Sequence, residues 1–297
     1  MVTAVVAGAN GYLGSHVVQV LREKCEVIAL ARQPSSSQQQ RTPSTIRWLP
    51  FASLREIRRL VPAEPLVLFH CIGKSRESLP GDIFKGNIET TEYLVRSASE
   101  QGFDRLVYVS GYGIGTESTS AYYTTKRGAE EIINGAPLRS VILRPSYILG
   151  GNDELIPRLI QEGKRTGSIS YPGSGSYRLQ PLFIEDFAHL TSAILQNDRF
   201  EDGTYALLGD VISYKEFLEK LIERCRLPYP LKSRPIEDYI RDAVFSKDAH
   251  FSLDQIGVLL ADRVGERTGE LAGVRLRGVD EILDCIAQAW RSSAGIG

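Results

Sequence analysis

The sequence is short of the features that mark membrane, nucleic-acid-binding and metal-dependent proteins. It has no run of about 18 apolar residues, so we expect no membrane span. Its 35 Lys and Arg balance 36 Asp and Glu, and a net charge of −1 leaves no basic excess for nucleic acid. The four cysteines and four histidines are scattered, without the close spacing of a zinc site or a disulfide framework. We therefore predict free thiols and no metal.

The N-terminus also lacks the basic and apolar regions of a signal peptide, which predicts a cytoplasmic protein. What the chain does have is an ordinary globular composition, with 297 residues of which 42% are hydrophobic and 24% charged. This length suits one large domain, or one domain with a smaller lobe.

Apolar runs alternate with amphipathic segments through the first half, which is typical of βαβ units and a parallel sheet. We predict strands over Thr3–Ala7, Glu26–Ala31, Thr45–Leu49, Leu66–His70, Arg105–Val109 and Ser140–Leu143. We predict helices over Leu13–Lys24, Leu54–Leu60, Ile83–Gln101 and Tyr122–Ile133. Ser53 and Glu56 have capping-box spacing and predict a helix start, and the polar tract from Arg32 to Arg41 predicts a loop.

The alternation weakens after Arg144. There we expect a helix near Glu185–Gln196 and a strand near Thr204–Leu208. From Ser213 onward we expect mostly helix, interrupted by three prolines between positions 228 and 235.

A glycine-rich segment with the spacing GxxGxxG follows the first predicted strand and opens the first helix. Glycines permit a tight turn and a close backbone approach, so that a pyrophosphate can lie against the amides at a helix N-terminus. Directly after an apolar strand, the segment predicts a dinucleotide site rather than an ordinary strand–helix turn. We expect the cofactor to contact Gly8, Asn10, Gly11, Tyr12, Leu13 and Gly14.

The second predicted strand is followed by a base instead of an acid. An acid at this point accepts a hydrogen bond from the ribose 2′-hydroxyl of NAD(H), whereas Arg32 can form charge-assisted bonds to a 2′-phosphate. We therefore predict NADP(H) over NAD(H). The alternative is that Arg32 is a solvated loop cation.

Tyr122 and Lys126 are spaced i and i+4 on a predicted helix, which places phenol and ammonium on one face. A nearby cation lowers the pKa of a tyrosine and makes it a usable acid–base group. The pair follows the glycine turn and a strand that ends at Ser110. The alternatives are a half-buried aromatic for Tyr122, a solvated cation for Lys126 and a strand-end cap for Ser110.

In this order, the motifs resemble those of the short-chain dehydrogenase/reductase superfamily, in its extended or atypical branch. The matching segments cover most of the chain: the glycines at 8, 11 and 14, Phe69–Gly73, Asn87, Val107–Gly111, Tyr122–Lys126, Leu143–Gly150 and Gln180–Asp186.

The resemblance implies a role for each matched residue. Tyr122 would be the general acid–base, Lys126 would hold the nicotinamide ribose and lower the tyrosine pKa, and Ser110 would polarise the reacting carbonyl. Asn87 would support a proton relay. Further cofactor contacts would come from Cys71, Ile72, Gly73, Pro145, Ser146, Tyr147 and Ile148.

Two departures from the family pattern are visible. The third predicted strand is followed by no aspartate for adenine. The segment from Ser110 to Gly115 lacks the serine-rich run of nucleotide-sugar epimerases, so Tyr112 is the neighbouring candidate for the hydroxyl role. We expect substrate contacts from Tyr112, Tyr147 and Arg178.

The resemblance implies a Rossmann-type doubly wound sheet over residues 1–150 and a smaller, discontinuous lobe over 151–297, with 180–210 returning to the first domain. It implies an NADP(H)-dependent oxidoreductase acting on a small carbonyl or alcohol, and a homodimer. The strand end Val109–Gly111, the segment Ala129–Glu131 and the tail Phe251–Leu260 look like those of the nucleotide-binding accessory subunit of respiratory complex I. That similarity implies an alternative, a non-catalytic NADP(H)-binding scaffold or redox sensor. A sugar-nucleotide epimerase or dehydratase is a third reading.

The neutral total also conceals a basic first fifth of the chain. Up to Leu60 there are eight basic residues against three acids. This bias lies where the phosphates of a dinucleotide are expected and favours a phosphorylated cofactor, although several of the cations would be solvated helix faces.

Overall fold

The computed structural model describes residues 2–32, 45–62, 64–77, 79–114, 120–151, 153, 155–246 and 251–294. Of the predicted loop from Arg32 to Arg41, only Arg32 lies within the described residues. The strands are β1 Thr3–Ala7, β2 Glu26–Ala31, β3 Ile46–Pro50, β4 Leu66–His70, β5 Arg105–Val109, β6 Ser140–Pro145, β7 Ile148–Leu149, β8 Ile169–Pro172, β9 Arg178–Leu179, β10 Leu182–Phe183, β11 Gly203–Leu207, β12 Ile212–Ser213, β13 Leu231–Arg234, β14 Glu270–Leu271 and β15 Val274–Arg275.

Helices follow the same chain order. They are α1 Tyr12–Leu21, α2 Ile57–Leu60 after a 3₁₀ helix at Phe51–Glu56, α3 Thr90–Glu100, α4 Ala121–Asn134, α5 Leu155–Thr166, α6 Ile184–Gln196, α7 Tyr214–Cys225, α8 Ile236–Phe245, α9 Leu253–Leu260 and α10 Val279–Ala294. The helix that ends as α3 begins earlier, with a helical turn at Asp82–Phe84 and a π-helical segment at Lys85–Glu89. None of the helices described is long and apolar enough to cross a membrane.

Seven strands form the central sheet in the order β11-β6-β5-β4-β1-β2-β3. The pairs from β6 to β3 are all parallel. Every residue of β1, β4 and β5 is buried, as expected for apolar strands that are covered on both faces. The predicted doubly wound α/β fold is confirmed.

The chain reverses its direction of travel across the sheet between β1 and β4. It builds β2 and β3 on one side of β1, then returns to place β4, β5 and β6 on the other side, with Ala7 paired to His70. Ligands of doubly wound folds bind beyond the carboxyl ends of the strands at such a switch point. The glycine turn after β1 and the loop after β4 meet there.

The chain divides into two compact units. Unit 1 comprises residues 1–145, 185–206 and 270–274, and unit 2 comprises 146–184, 207–269 and 275–297. One face of the sheet in unit 1 packs on a core that includes Ile28, Leu68, Leu94, Tyr108 and Ala129. Unit 2 has its own core, which includes Leu159, Phe217, Leu221, Ile282 and Leu283.

One local prediction from the sequence is wrong. Ser53 lies inside the 3₁₀ helix, where no side chain caps the first amides, so it does not begin a helix. A capping box is present instead at Ser252 and Gln255, at the start of α9. The region from Ser213 is mostly helical, as predicted, with α7, α8, α9 and α10, and the break at the three prolines contains β13, which pairs in parallel with β8.

Candidate functional site

The glycine turn after β1 requires glycine at positions 8 and 14 and leaves little room for a side chain at position 11. Gly8 has a φ of +87°, a backbone conformation that side chains disfavour. A Cβ at Gly14 would lie 2.1 Å from the carbonyl oxygen of Gly8, and one at Gly11 would lie 3.2 Å from that oxygen. Helix α1 therefore packs directly on the turn, and its N-terminal amides face the end of β1 with no side chain from Gly11 over them. This is the cradle that a dinucleotide pyrophosphate requires.

The loop after β4 packs on this turn. A Cβ at Gly8 would meet Ile72 Cγ1 at 3.0 Å and the carbonyl carbon of Cys71 at 3.1 Å. One at Gly73 would lie 2.8 Å from the Lys126 ammonium, so glycine at 73 leaves space for that side chain. Burial raises the pKa of the Cys71 thiol to about 12, which makes it a neutral wall of the site and not a nucleophile.

Contacts with strand β5 hold the Lys126 side chain in place. Its side chain is buried, with 4% exposed, and its Nζ donates to the Val109 carbonyl at 2.8 Å and lies 4.7 Å from the centre of the Tyr108 ring. Burial lowers the pKa of the ammonium to about 8, while the negative charge of Glu130 acts in the opposite direction. The reading of Lys126 as a solvated helix cation is excluded by this burial.

Tyr122 lies one turn before Lys126, at the start of α4. Its hydroxyl lies over Gly111, where an added Cβ would be 2.8 Å from the phenol oxygen. Burial, and then the neighbouring Tyr123, raise the pKa of Tyr122 above its usual range. The phenol is thus protonated at neutral pH in the described structure, and burial outweighs any effect of Lys126 on its pKa.

Ser110 turns toward helix α4. Its hydroxyl donates to Glu130 Oε1 at 2.5 Å, and Arg144 donates to both oxygens of the same carboxylate, through Nε at 2.9 Å and through Nη2. Hydrogen bonding to the Glu130 carboxylate raises the pKa of the Arg144 guanidinium. The Ser110 proton is therefore committed to a buried ion pair, whereas Tyr112, two residues on, is half-buried.

Asn87 joins the loop after β4 to the helix that carries Tyr122. It lies in the π-helical segment, a local distortion common at functional sites, and its side chain is buried. Its Oδ1 accepts from the Lys74 amide at 2.8 Å, and its Nδ2 donates to the Lys74 carbonyl and to Thr125 Oγ1, each at 2.9 Å. Both polar atoms of the Asn87 side chain are hydrogen-bonded, so in this structure Asn87 connects the loop after β4 to helix α4.

Arg32 is exposed directly after β2. Other members of the basic first fifth have structural contacts. Arg58 donates to the carbonyls of Glu64, Gln101 and Gly102, the last two at the C-terminal end of α3, and Arg55 lies over the Tyr93 ring. These two cations have structural roles and therefore do not support the phosphorylated cofactor.

The remaining predicted residues belong mainly to unit 2. Pro145 closes β6 and accepts a hydrogen bond from the Tyr112 amide. Ser146, Tyr147 and Ile148 open unit 2, where Tyr147 is 39% exposed and Ile148 begins β7. Arg178 forms a two-pronged ion pair with Asp262, which occupies its guanidinium.

The sequence analysis missed the partners that hold these groups. They are His70, Thr91, Thr125, Glu130 and Arg144, each buried or half-buried among the candidate residues. The signal available for Glu130 was its position one helical turn after Lys126. Across the described ranges, no group of three His, Cys, Asp or Glu side chains comes together as a metal site.

The chain has relatives among known proteins. The model of the NAD dependent epimerase/dehydratase family matches residues 4–207. The chain is 26% identical over 291 residues to NADH dehydrogenase [ubiquinone] 1 alpha subcomplex subunit 9, mitochondrial, of Arabidopsis thaliana, covering 88% of this chain and 70% of that one. It is 24% identical to the 4-hydroxy-2-methyl-3-oxo-4-farnesyl-3,4-dihydroquinoline-1-oxide ketoreductase of Stigmatella aurantiaca, covering 73% of this chain and 72% of the relative.

Among solved structures, the fold is similar to that of the UDP-glucose 4-epimerase of Thermus thermophilus in complex with NAD. The TM-score is 0.70 at 16% identity, and the match covers 99% of this chain and all of the other. At this identity the likeness shows the fold alone.

Proposed function

The chain belongs to the NAD dependent epimerase/dehydratase family, and on that premise we propose that it is an NADP(H)-dependent oxidoreductase acting on a small carbonyl or alcohol, with Tyr122 as its acid–base group. The observation that carries the proposal is the meeting of three elements: the glycine turn, the loop at Ile72 and Gly73, and the buried Lys126. NADP(H), when bound, supplies or accepts the hydride.

In the proposed reaction, the chain's own residues position the cofactor and move one proton. The phenol of Tyr122 gives its proton to a carbonyl oxygen in the reducing direction and takes it back in the other. Lys126 binds the ribose beside Gly73, and its charge stabilises the phenolate that the transfer leaves. Because the Ser110 hydroxyl donates to Glu130, we assign polarisation of the carbonyl to Tyr122 and give Ser110 and Asn87 the task of holding the strand end and the loop.

Turnover is the test of the acid–base assignment. NADPH consumption is followed with a panel of small ketones and aldehydes for the wild type, Tyr122→Phe and a control, Tyr205→Phe, whose hydroxyl bonds to the Glu201 carbonyl on the exposed side of β11. We expect Tyr122→Phe to lose turnover by about 10²- to 10⁴-fold with its NADPH affinity unchanged, and Tyr205→Phe to stay near wild type. Equal turnover in Tyr122→Phe and wild type would refute the assignment.

The cofactor preference rests on Arg32. A guanidinium facing a 2′-phosphate forms charge-assisted hydrogen bonds that NADH cannot offer. Fluorescence titration should show tighter binding of NADPH than NADH, and Arg32→Ala should weaken NADPH by about tenfold while leaving NADH unchanged. Arg47→Ala, on the neighbouring strand β3, is the matched control because Arg47 is paired with Glu26. Tighter NADH binding by the wild type would contradict the preference.

A second function is favoured by one observation. The buried Ser110–Glu130–Arg144 cluster withdraws the hydroxyl that would polarise a carbonyl, which suits a protein that binds NADP(H) as a scaffold or redox sensor. Such a protein would bind NADPH tightly and show no turnover with any carbonyl or UDP-sugar in the panel. Turnover that depends on Tyr122 separates the two functions.

The compartment and the assembly belong to the same proposal. All four cysteines are free thiols, a state that the reducing cytoplasm preserves. We propose the cytoplasm and a homodimer. Cell fractionation, with a mitochondrial marker in view of the Arabidopsis thaliana relative's name, and the subunit count of the native protein test these two points.

A further inference from the structure

His70 ends strand β4 and is the one histidine of the described residues that is fully buried. Its ring lies between two elements of unit 1. Nδ1 faces the Ile72 amide at 3.3 Å, and Nε2 lies 2.9 Å from Thr91 Oγ1 at the start of α3. The ring also contacts Tyr108, with 4.8 Å between ring centres.

These contacts determine which nitrogen carries the proton. The Ile72 amide can only donate, so Nδ1 must accept. The proton is then on Nε2, which donates to Thr91, and Thr91 in turn donates its own proton to the Asn87 carbonyl at 2.6 Å. Burial and the nearby ammonium of Lys126 hold the pKa of His70 well below its usual range, in keeping with a neutral ring.

The bonds continue through Asn87 to the helix that carries Tyr122. The Asn87 side chain donates to Thr125 Oγ1, and Thr125 donates to the Ala121 carbonyl at 2.7 Å. Every side chain along this path is buried. The path therefore joins the Ile72 loop, the π-helical segment and the first turn of α4, and its members strengthen one another in a low-dielectric surrounding.

We propose that His70 is a positioning residue, which in its Nε2-protonated form fixes the Ile72–Gly73 loop relative to the turn that presents Tyr122. This inference rests on the proposed function, since it takes that loop as a wall of the cofactor site. The loop packs on Gly8 and borders Lys126, so a loosened loop disturbs both the cofactor cradle and the ammonium.

Thr91 offers the sharpest test, because its hydroxyl and its methyl can be removed separately. Thr91→Val keeps the shape and removes the hydroxyl, whereas Thr91→Ser keeps the hydroxyl and removes the methyl. Thr90→Val is the matched control, since Thr90 is the preceding residue and its hydroxyl bonds only to the Lys85 carbonyl on the exposed side. The probe is NADPH, titrated by its own fluorescence with each variant.

We expect Thr91→Val to weaken NADPH binding by about tenfold. The fluorescence yield of the bound cofactor should also fall, because the loosened loop holds the nicotinamide ring less rigidly. Thr91→Ser and Thr90→Val should stay within about twofold of wild type. Equal losses in Thr91→Ser and Thr91→Val would show a packing role and overturn the inference, as would a wild-type affinity in Thr91→Val.

A second measurement reads the tautomer in the wild type and needs a variant only to assign the signal. Long-range ¹H–¹⁵N correlation spectra of the wild type, with His70 identified by its loss in His70→Gln, report the tautomer directly. A proton on Nε2 that persists from pH 8 to pH 6 supports the inference, and a proton on Nδ1 or a titrating ring contradicts it. A wild type that binds neither NADPH nor NADH would overturn the proposed function and this inference together, whereas binding that Thr91→Val leaves unchanged would overturn this inference alone.

Discussion

The two units use their polar side chains in different ways. In unit 1, buried groups such as Lys126, Asn87 and Glu130 gather at the carboxyl ends of β4 and β5. In unit 2, the prominent charges pair with one another near the surface, as Arg178 does with Asp262 and Arg224 with Asp280. Burial of polar groups is costly unless each has a partner, so their concentration in one place indicates a function that the surface pairs do not share.

The difference teaches where the chemistry is to be sought. Burial lowers the pKa values of groups in unit 1, including His70 and Lys126, whereas in unit 2 it raises those of side chains such as Glu162 and Tyr214. Surface ion pairs contribute little to stability and are easily lost. Substitutions of the buried polar groups at the strand ends of unit 1 should therefore have large and specific effects, and substitutions of the surface ion pairs of unit 2 should have small ones.

The largest effect on stability is expected from breaking the ion pair of Glu130. Glu130→Ala leaves the Arg144 guanidinium without its carboxylate and also frees Ser110. We expect a loss of about 3 kcal/mol in the free energy of unfolding, at the low end for a buried pair because the Arg144 side chain is 30% exposed. Urea unfolding measures it. A loss similar to that of an exposed pair would remove the contrast between the units.

Two glycine-to-alanine substitutions give the next comparison. In Gly14→Ala, the new Cβ would lie 2.1 Å from the Gly8 carbonyl oxygen, so α1 must shift, at a cost of about 2–3 kcal/mol and with loss of NADPH binding. Gly257→Ala, in helix α9, places its Cβ in open space and should stabilise by about 0.5 kcal/mol. The same urea series checks both, and equal effects of the two substitutions would contradict the reading of the turn.

The cofactor affinity should depend on pH through Lys126. The ammonium form binds the ribose, so binding is intact below the folded pKa of about 8 and is lost as pH rises through it. We expect NADPH affinity to fall by about fivefold between pH 8 and pH 9. Lys126→Met should bind weakly, with no such dependence.

The lowered pKa of Lys126 also affects the free energy of unfolding, which rises with pH where the NADPH affinity falls. The unfolded chain keeps the Lys126 proton up to its ordinary pKa of 10.5, so between about pH 8 and that value the unfolded state holds more protons. The contribution of Lys126 to the free energy of unfolding therefore rises with pH in that window. Urea unfolding of wild type and Lys126→Met at pH 7.5 and 9.5 measures this contribution, because titration of the other groups affects both proteins alike.

The smallest effect is expected in unit 2. Arg178→Ala breaks an exposed ion pair, with 48% of the Arg178 side chain in solvent, and should leave the melting temperature within about 1 °C of wild type. A contact between Arg178 and the substrate would show separately, as a rise in the Michaelis constant of Arg178→Ala with its NADPH affinity unchanged. A large drop in melting temperature would contradict the description of unit 2.

The sequence predicted the sheet well because its strands are short apolar runs. The predicted bounds of β1, β2, β4 and β5 match those in the structure. The wrong capping box at Ser53 shows the limit of a local pattern, because the same spacing fits a residue inside a 3₁₀ helix. Strand β13 was not predicted from the sequence because its residues are mostly polar and exposed, and it becomes a strand only through its pairing with β8.

The residues of the site were predictable where a motif carries them and not where tertiary contacts do. The spacing of Tyr122 and Lys126 is a local property of a helix. The bond from Ser110 to Glu130 spans 20 residues, and that from His70 to Thr91 spans 21, so they form only when the sheet and helices have packed. The π-helical turn at Asn87 has no sequence signal in this chain.

The central claim is that unit 1 binds a dinucleotide at the glycine turn. Native mass spectrometry of the purified protein with excess NADPH tests it most directly, because it counts cofactors and subunits at once. We predict one NADPH per chain for the wild type and none for Gly14→Ala at the same concentration. A wild-type spectrum without bound NADPH or NADH would contradict the account.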